Sequence, residues 1–314
     1  MSWTSLQVRA LRLEADDVLG VELGTPGGAP LPLSWAAGAH VDLRLGNGMV
    51  RQYSVVSLPE EGHLYLGIKR EPASRGGSQW LHEHLRLGAR IEVGTPRNQF
   101  ALQPGTGSVV LLAAGIGITP LLPMYRQCLA QGRAVRLLYF TRDAHPLPLV
   151  QRQGLPIEVF SGLRAAQIKQ ALSELLPVWQ PHASVYCCGP AGFMDSVEHA
   201  ALNQGWPASA LYREHFKPPE PTAATHSSCT LVLQRSGHEV QVQAGESLLQ
   251  AAARVGVDLP ISCGMGICGA CMCRVIEGTP EHRDECLTEA QRSSGEWITP
   301  CVSGARSSRL VLDA

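Results

Sequence analysis

The chain has 314 residues, which is long enough for two or three domains with a core each. Apolar residues make up 45% and charged residues 17%, which are the proportions of an ordinary globular protein. The net charge is −1, so there is no electrostatic basis for binding nucleic acid or an anionic membrane surface. We therefore expect partners other than nucleic acid or membrane.

The N-terminal sequence lacks the features of an export signal. Residues 1–4 (Met-Ser-Trp-Thr) are not a basic segment leading into an apolar core. No apolar run reaches the roughly 18 residues of a membrane-spanning helix. Ten cysteines without an export signal favour a reducing compartment. The sequence therefore predicts a cytoplasmic protein.

Residues 1–104 are predicted to form short strands separated by turns. Apolar and polar residues alternate at 8–13, 18–23 and 40–45, and turn clusters lie at 24–28 and 46–48. Several short strands at this spacing predict a small antiparallel β-barrel or a sandwich.

Two clusters in this segment are suited to an anionic ligand. Residues 51–54 read Arg-Gln-Tyr-Ser, and strand alternation places Arg51 and Tyr53 on one face. Lys69 precedes residues 75–78 (Arg-Gly-Gly-Ser), which begin a predicted helix. Glycines at a helix N-terminus beside an arginine form an anion site. Each cluster alone is also typical of a solvated surface, but together they indicate a phosphate-bearing cofactor.

Residues 105–217 change to alternating strands and helices. The apolar run 109–114 is typical of a buried parallel strand and leads into residues 115–120 (Gly-Ile-Gly-Ile-Thr-Pro). Strand 184–187 leads in the same way into residues 188–190 (Cys-Gly-Pro). This pattern predicts an α/β domain with a parallel sheet, whose strand-end glycines mark a ligand site.

The nucleotide signal in this segment is incomplete. Pro120 occupies the place of the third glycine in a G-x-G-x-x-G fingerprint, and a lone G-x-G is equally a tight strand-to-helix turn. Asp143 follows the second strand, where an acid accepts from a ribose hydroxyl and repels a 2′-phosphate. Arg142 argues the other way, but the acid favours NADH over NADPH.

Residues 218–228 are a linker rich in Pro, Thr and Ser, and residues 229–314 contain a cysteine pattern. The spacing is C-x4-C-x2-C with a distant fourth cysteine, which is the plant-type spacing for a [2Fe–2S] cluster. Zinc sites usually show paired C-x2-C knuckles, and only one such pair is present. The predicted ligands are Cys263, Cys268, Cys271 and Cys301. Cys273 is not needed to complete the pattern.

The order of these motifs resembles one family over essentially the whole chain. That family is the phthalate dioxygenase reductase type, in which flavin, NAD and C-terminal ferredoxin domains follow one another. The resemblance rests on these stretches and on the four cysteines: 51–54, 75–78, 96–100, 115–120, 188–190, 214–216 and 281–284. It implies a flavin barrel at 1–104, an α/β NAD domain at 105–217 and a β-grasp ferredoxin at 229–314.

The resemblance also implies the positions of two cofactors. FMN is expected in the barrel, with FAD less favoured, and NADH in the α/β domain. Tyr53 and Ser54 would contact the flavin ring, Asp143 the adenine ribose, and Cys188 the nicotinamide. Phe216, ending the last strand of its domain, resembles the aromatic residue that covers the flavin, so Ser54, Cys188 and Phe216 are expected at the reacting atoms. The remaining cofactor contacts are expected at Arg51, Lys69, Arg75, Gly76, Gly77, Ser78, Gly115, Gly117, Thr119, Gly189 and Pro190.

The implied function is that of a reductase component for a Rieske-type oxygenase that hydroxylates or demethylates aromatic compounds. Hydride would pass from NADH to the flavin, and single electrons from the cluster to the oxygenase. An alternative acceptor is a haem or diiron monooxygenase, although the diiron class usually carries its ferredoxin at the N-terminus. A second alternative, from a different class, is a flavin and [2Fe–2S] redox sensor without turnover.

Overall fold

The computed structural model describes residues 2–72, 76–143, 147–216, 228–261, 264–267, 269–284 and 286–314. The chain divides into two compact units, residues 1–216 and 217–314. In the described portion of the chain, none of the helices combines the length and apolar character that crossing a bilayer requires. The predicted domain boundaries within these units stay a prediction.

The first unit begins with an antiparallel barrel. Its elements are β1 (Trp3–Ala15), β2 (Val18–Gly24), β3 (His40–Arg44), β4 (Val50–Ser54), β5 (Leu64–Lys69), α1 (Gly77–His84) and β6 (Arg90–Gly94). The strands pair in the order β4-β3-β6-β1-β2-β5. Val55, directly after β4, bridges to Leu66 in β5, so the two edges of the sheet meet. Of the two predicted alternatives the barrel is therefore the one that forms, and alternation directs Leu6, Val21 and Leu43 into its core.

A five-stranded parallel sheet with flanking helices follows. Its elements are β7 (Val109–Ala114), α2 (Ile118–Ala130), β8 (Val135–Thr141), α3 (Pro148–Gln151), β9 (Glu158–Ser161), α4 (Ala165–Leu175), β10 (Ser184–Cys188), α5 (Ala191–Asn203) and β11 (Leu211–Glu214). The strand order is β11-β10-β7-β8-β9. The chain moves outward from β7 on one side and then returns to β10 on the other. The ends of β7 and β10 therefore form a topological switch point, which is where open α/β sheets bind ligands.

One hydrophobic core joins the barrel to the parallel sheet. Val56 and Phe100 from the barrel segment pack in the same cluster as Leu121 and Tyr186 from the α/β segment. The Phe100 and Tyr186 rings meet edge to face with centroids 5.5 Å apart. The first 216 residues therefore fold around a shared interior, which holds the barrel surface against the sheet.

The second unit is a small mixed sheet covered by a helix. Its elements are β12 (Thr230–Leu233), β13 (His238–Gln241), α6 (Leu248–Arg254), β14 (Cys273–Glu277), β15 (Pro280–Glu281), α7 (Glu289–Ser294), β16 (Trp297–Ile298), β17 (Gly304–Ala305) and β18 (Arg309–Leu312). The main sheet has the order β13-β12-β18-β14-β16. Strands β12 and β13 form an antiparallel hairpin, and Ser247 caps α6 by accepting from the Gln250 N–H at 3.2 Å.

Candidate electron-transfer sites

The barrel presents an arginine against the N-terminus of a helix. Arg51 on β4 donates to the Val50 carbonyl at 2.8 Å and lies 3.1 Å from the Met49 sulfur. A Cβ added at Gly77 would lie 2.4 Å from the Arg51 Nε, so only glycine leaves room for the guanidinium there. Gly76 caps the helix with φ +88°, a left-handed conformation that favours glycine. The two glycines therefore build a cradle where a guanidinium meets the backbone N–H groups of a helix start.

The other residues predicted to hold the phosphate are placed differently. Ser78 is buried in the first turn of α1, and its Oγ accepts from the Glu71 N–H at 3.2 Å. Lys69, at the end of β5, instead pairs with Asp17 at 3.5 Å. Arg75 lies outside the described residues. The structure thus brings Arg51, Gly76, Gly77 and Ser78 together, and a phosphate dianion fits the positive charge and the helix start of this cradle.

Tyr53 and Ser54 follow on the same strand and lead towards the parallel sheet. Tyr53 pairs with Val41 across β3 and β4, and burial raises the pKa of its phenol far above the ordinary value. Ser54 is buried, and its Oγ donates to the Glu214 carboxyl at 3.5 Å. This contact joins the barrel to the carboxyl end of β11.

Sequence reasoning did not assign a site role to Glu214. It pairs in register with Cys188 across β10 and β11, so its side chain lies at the switch-point edge beside the barrel. Burial raises the pKa of this partly buried carboxyl to about 8, while the hydrogen bond from Ser54 acts in the opposite direction. The signal available in the sequence was an acidic residue at the end of a predicted parallel strand.

The nucleotide side of the site is built by close backbone packing. A Cβ at Gly117 would lie 2.2 Å from the Cys188 carbonyl oxygen, and one at Gly189 would lie 2.8 Å from Ala114 Cβ. Cys188 is fully buried, and burial raises the pKa of its thiol well above the ordinary value. A neutral, buried thiol and tightly packed strand ends thus form a closely packed floor at the switch-point edge of the sheet.

Other predicted nucleotide residues lie around this floor. Thr119 is buried in the first turn of α2, and its hydroxyl donates to the Ile116 carbonyl at 2.9 Å. Gly115 has φ +56° at the turn after β7, while Pro190 caps α5. Asp143 is exposed beyond β8, where its N–H donates to Thr141 Oγ1 at 3.2 Å. Its carboxylate is thus open to solvent at the same edge of the sheet.

Phe216 differs from its expected place on a strand. β11 ends at Glu214, so Phe216 lies two residues beyond it, and 38% of its surface is exposed. The strand stops because hydrogen-bonded pairing with β10 ends at Cys188. Phe216 is therefore an exposed aromatic next to the end of the first unit, close in sequence to Glu214.

The second unit brings two predicted cluster ligands together. The sulfurs of Cys271 and Cys301 lie 3.1 Å apart, which is too far for a disulfide of about 2.05 Å but close enough to share one metal ion. Cys263 and Cys268 lie outside the described residues. Cys273 directs its thiol to the Cys271 carbonyl at 3.3 Å.

The backbone of the cysteine loop is also suited to a cluster. Gly264, Gly266 and Gly269 have φ values of +66°, +70° and +63°. A Cβ at Gly266 would lie 2.5 Å from Val302 Cγ2, next to the fourth cysteine. These left-handed conformations allow the tight turns that plant-type cluster loops require. The donor set and the loop therefore fit a [2Fe–2S] centre.

Comparison with known proteins decides the family. The family model for the 2Fe-2S iron-sulfur cluster binding domain matches residues 231–306. The chain is 36% identical over 312 residues to vanillate O-demethylase oxidoreductase of Pseudomonas sp. (strain HR199 / DSM 7063), covering 98% of both chains. The solved structure of phthalate dioxygenase reductase matches with a TM-score of 0.72 and 32% identity, covering 100% of this chain and 98% of that one. This chain belongs to the phthalate dioxygenase reductase family.

A further solved structure contains the same architecture within a longer protein. An intact type IV self-sufficient cytochrome P450 monooxygenase matches with a TM-score of 0.86 and 32% identity. The match covers 99% of this chain and 41% of that chain. The reductase architecture thus also occurs within a longer haem protein.

Membership of the family confirms the predicted fold class and chemistry. The chain is an oxidoreductase with a flavin barrel, an NAD sheet and a plant-type ferredoxin, and its cofactors are FMN, NADH and a [2Fe–2S] cluster. When bound, NADH would supply a hydride, FMN would accept it, and the cluster would pass on single electrons. The protein supplies a helix-end anion cradle at Arg51, a closely packed floor at Cys188, a hydroxyl–carboxyl pair at Ser54 and Glu214, and convergent thiols at Cys271 and Cys301.

Proposed function

We propose that this protein is the reductase component of a Rieske-type oxygenase system that hydroxylates or demethylates aromatic compounds. The observation that carries the proposal is full-length similarity to a protein named vanillate O-demethylase oxidoreductase. A Rieske centre suits this role because its potential is higher than that of a plant-type cluster, so electrons flow from the reductase to the oxygenase.

The proposal includes roles for individual residues. Arg51, Arg75, Gly76, Gly77 and Ser78 hold the FMN phosphate, while Tyr53 and Ser54 face its ring. Gly115, Gly117, Thr119, Asp143, Gly189 and Pro190 line the NADH site. Cys188 supports the nicotinamide and Phe216 covers the flavin. Cys263, Cys268, Cys271 and Cys301 ligate the cluster. Lys69 is a weaker member of the set, because its described partner is Asp17.

The location of the protein is also part of the proposal. Cys128 and Cys188 are buried as free thiols in the core of the first unit. Free buried thiols are typical of a reducing compartment. We place the protein in the cytoplasm on this basis.

Reconstitution with candidate oxygenases tests the function. The purified reductase is combined with a Rieske oxygenase and its aromatic substrate, and NADH-dependent product is measured against a Cys301→Ser variant. We expect product with the parent chain and none with the variant, whose flavin still reduces ferricyanide. Equal product with both chains would contradict the proposed electron path.

A haem monooxygenase is the second candidate acceptor. It is supported by the high structural similarity to a self-sufficient cytochrome P450, in which the same architecture accompanies a haem domain. Parallel assays with a cytochrome P450 and a Rieske oxygenase distinguish the two acceptors. The physiological acceptor should support product formation at a much lower acceptor concentration than the other one. A non-turnover sensor would show no rapid bleaching of flavin and cluster absorbance when NADH is added anaerobically.

A further inference from the structure

A carboxylate lies buried beneath the cysteine loop of the second unit. Asp284 is 4% exposed, and its side chain has no exposed surface. Its Oδ2 accepts from the Leu287 N–H at 2.9 Å, and its Oδ1 accepts from the Ser303 hydroxyl at 3.3 Å. Burial of a carboxylate is costly unless hydrogen bonds compensate it, so the fold has to provide these donors specifically.

Asp284 lies directly against the loop that carries three of the four predicted ligands. A Cβ at Gly266 would lie 3.0 Å from Asp284 Cα and 3.2 Å from its Cβ. Two residues later, the Cys286 N–H donates to the Gly266 carbonyl at 3.2 Å. The segment that contains Asp284 therefore supports the turn of the loop at Gly266 from beneath.

The same carboxylate also reaches the turn that carries the fourth ligand. Ser303 and Thr299 are fully buried, and their hydroxyl oxygens lie 3.0 Å apart. The Ser303 N–H donates to the Thr299 carbonyl at 3.0 Å, which closes the turn around Cys301. Through Ser303, Asp284 thus connects the Cys301 turn with the loop at Gly266, although these segments are far apart in sequence.

The negative charge of Asp284 is only partly balanced. Arg292 Nη2 lies 3.7 Å from Oδ2 and His282 Nδ1 lies 3.6 Å from Oδ1, while 40% of the Arg292 side chain is exposed. A buried negative charge close to a redox centre opposes the addition of an electron, because the local dielectric constant is low.

We propose that Asp284 is a positioning residue for the iron–sulfur centre. It holds the two ligand-bearing segments in register, and its charge lowers the reduction potential of the cluster. This role concerns the cluster and does not depend on the identity of the oxygenase. Measurements on the cluster can therefore contradict it without contradicting the proposed function, and the reverse also holds.

Two substitutions in the full-length, flavin-loaded protein test the two effects. Asp284→Ala removes the link between the segments, and we expect several-fold faster loss of cluster absorbance in the presence of a chelator. Asp284→Asn keeps an acceptor oxygen but removes the charge, and we expect a higher potential in an anaerobic redox titration. Flavin reduction by NADH should keep its parental rate in both variants, because that site lies in the other unit.

Two further variants make the outcome decisive. Asp313→Asn removes a carboxylate of the same unit that pairs with Arg235 at 2.6 Å, and it should leave the cluster lifetime and the potential unchanged. Ser303→Ala removes one donor to Asp284 and should shorten the lifetime by less than Asp284→Ala. Parental lifetimes in both Asp284→Ala and Ser303→Ala would overturn the positioning role. A parental potential in Asp284→Asn would overturn the effect of charge.

Discussion

Glycine is required at position 77 because of the neighbouring Arg51 side chain, and not because of its own backbone conformation. Its φ is not in the left-handed region, but the Arg51 side chain occupies the position of a Cβ, with Cγ at 2.5 Å and Nε at 2.4 Å. Gly76 is required for its conformation, with φ +88°. Glycine is therefore needed at these two adjacent positions for different physical reasons, and only the structure distinguishes the two reasons.

Gly77→Ala should weaken flavin binding by displacing Arg51. Loss of a charge-assisted phosphate contact costs roughly 1.5–3 kcal/mol, which corresponds to about a 10- to 100-fold rise in the flavin dissociation constant. Fluorescence titration of the apoprotein with FMN measures this constant. Gly192→Ala is the matched control, since a Cβ there meets nothing within 4 Å. Parental affinity in Gly77→Ala would argue against a role for Arg51 in phosphate binding.

Glu214 should make stability depend on pH. Its pKa is raised from the ordinary value of 4.5 to about 8, so between these values the folded state holds a proton that the unfolded state has released. The free energy of unfolding therefore falls as pH rises from 4.5 to 8, and this contribution is constant above that range. Glu214→Gln should remove the decline, as measured by urea unfolding of the flavin-loaded protein across this range.

The surface carboxyl of Glu198 provides the comparison for Glu214. It pairs with Arg213 at 2.7 Å, and its side chain is 38% exposed. Glu198→Gln should therefore keep the pH profile of the parent. If Glu214→Gln showed the same decline between pH 4.5 and 8 as the parent, another group would be responsible.

At the scale of elements, a polar cluster joins β1 and β5 of the barrel to the end of α3. The buried Glu14 carboxylate accepts from the Tyr65 hydroxyl and from Arg152, whose Nη1 lies 3.0 Å from Oε2. Arg152 Nη2 also lies 3.2 Å from the Tyr65 hydroxyl. Because α3 follows the turn that contains Asp143, this cluster anchors the nucleotide edge of the sheet to the barrel.

Arg152→Met should destabilise the first unit more than the loss of a surface pair would. The Glu14 side chain has no exposed surface, so its charge would remain buried without its guanidinium partner. We expect a loss of about 3 kcal/mol in the free energy of unfolding, at the low end for buried pairs because 41% of Arg152 is exposed. Arg213→Met, at an exposed pair, should cost about 0–1 kcal/mol. Equal losses in urea unfolding would contradict this assignment.

Strands and helices could be predicted from the sequence where the local pattern of apolar, polar and glycine residues determines them. The apolar run Val109–Ala114 forms a strand with those bounds, and α1 begins at Gly77, within the stretch predicted to start a helix. Contacts between distant segments were not predictable in this way. Ser54 and Glu214 are 160 residues apart, and their contact depends on the shared core rather than on any local preference. Asp284 was visible as part of a family motif, but its burial against Gly266 required the three-dimensional structure.

At the scale of the whole molecule, the two compact units predict separable activities. Residues 1–216 form one compact unit, and the barrel core and the core shared with the parallel sheet are built from described residues of that unit. A chain ending at Phe216 should fold, bind FMN and reduce ferricyanide with NADH at near the parental rate. It should fail to reduce cytochrome c, which takes single electrons from the cluster. Efficient cytochrome c reduction by the shortened chain would show that electrons leave directly from the flavin.

The shared core of the first unit also constrains how such reductases can be recombined. In a chimera that changes from one parent sequence to another near residue 104, the cluster in which Phe100 packs with Tyr186 would be divided between the parents. Side chains from two different sequences would then have to pack in one core. A crossover between residues 216 and 217 separates the two compact units instead. In a library of chimeric reductases, the barrel and the nucleotide sheet should therefore come from the same parent, whereas the ferredoxin can come from another.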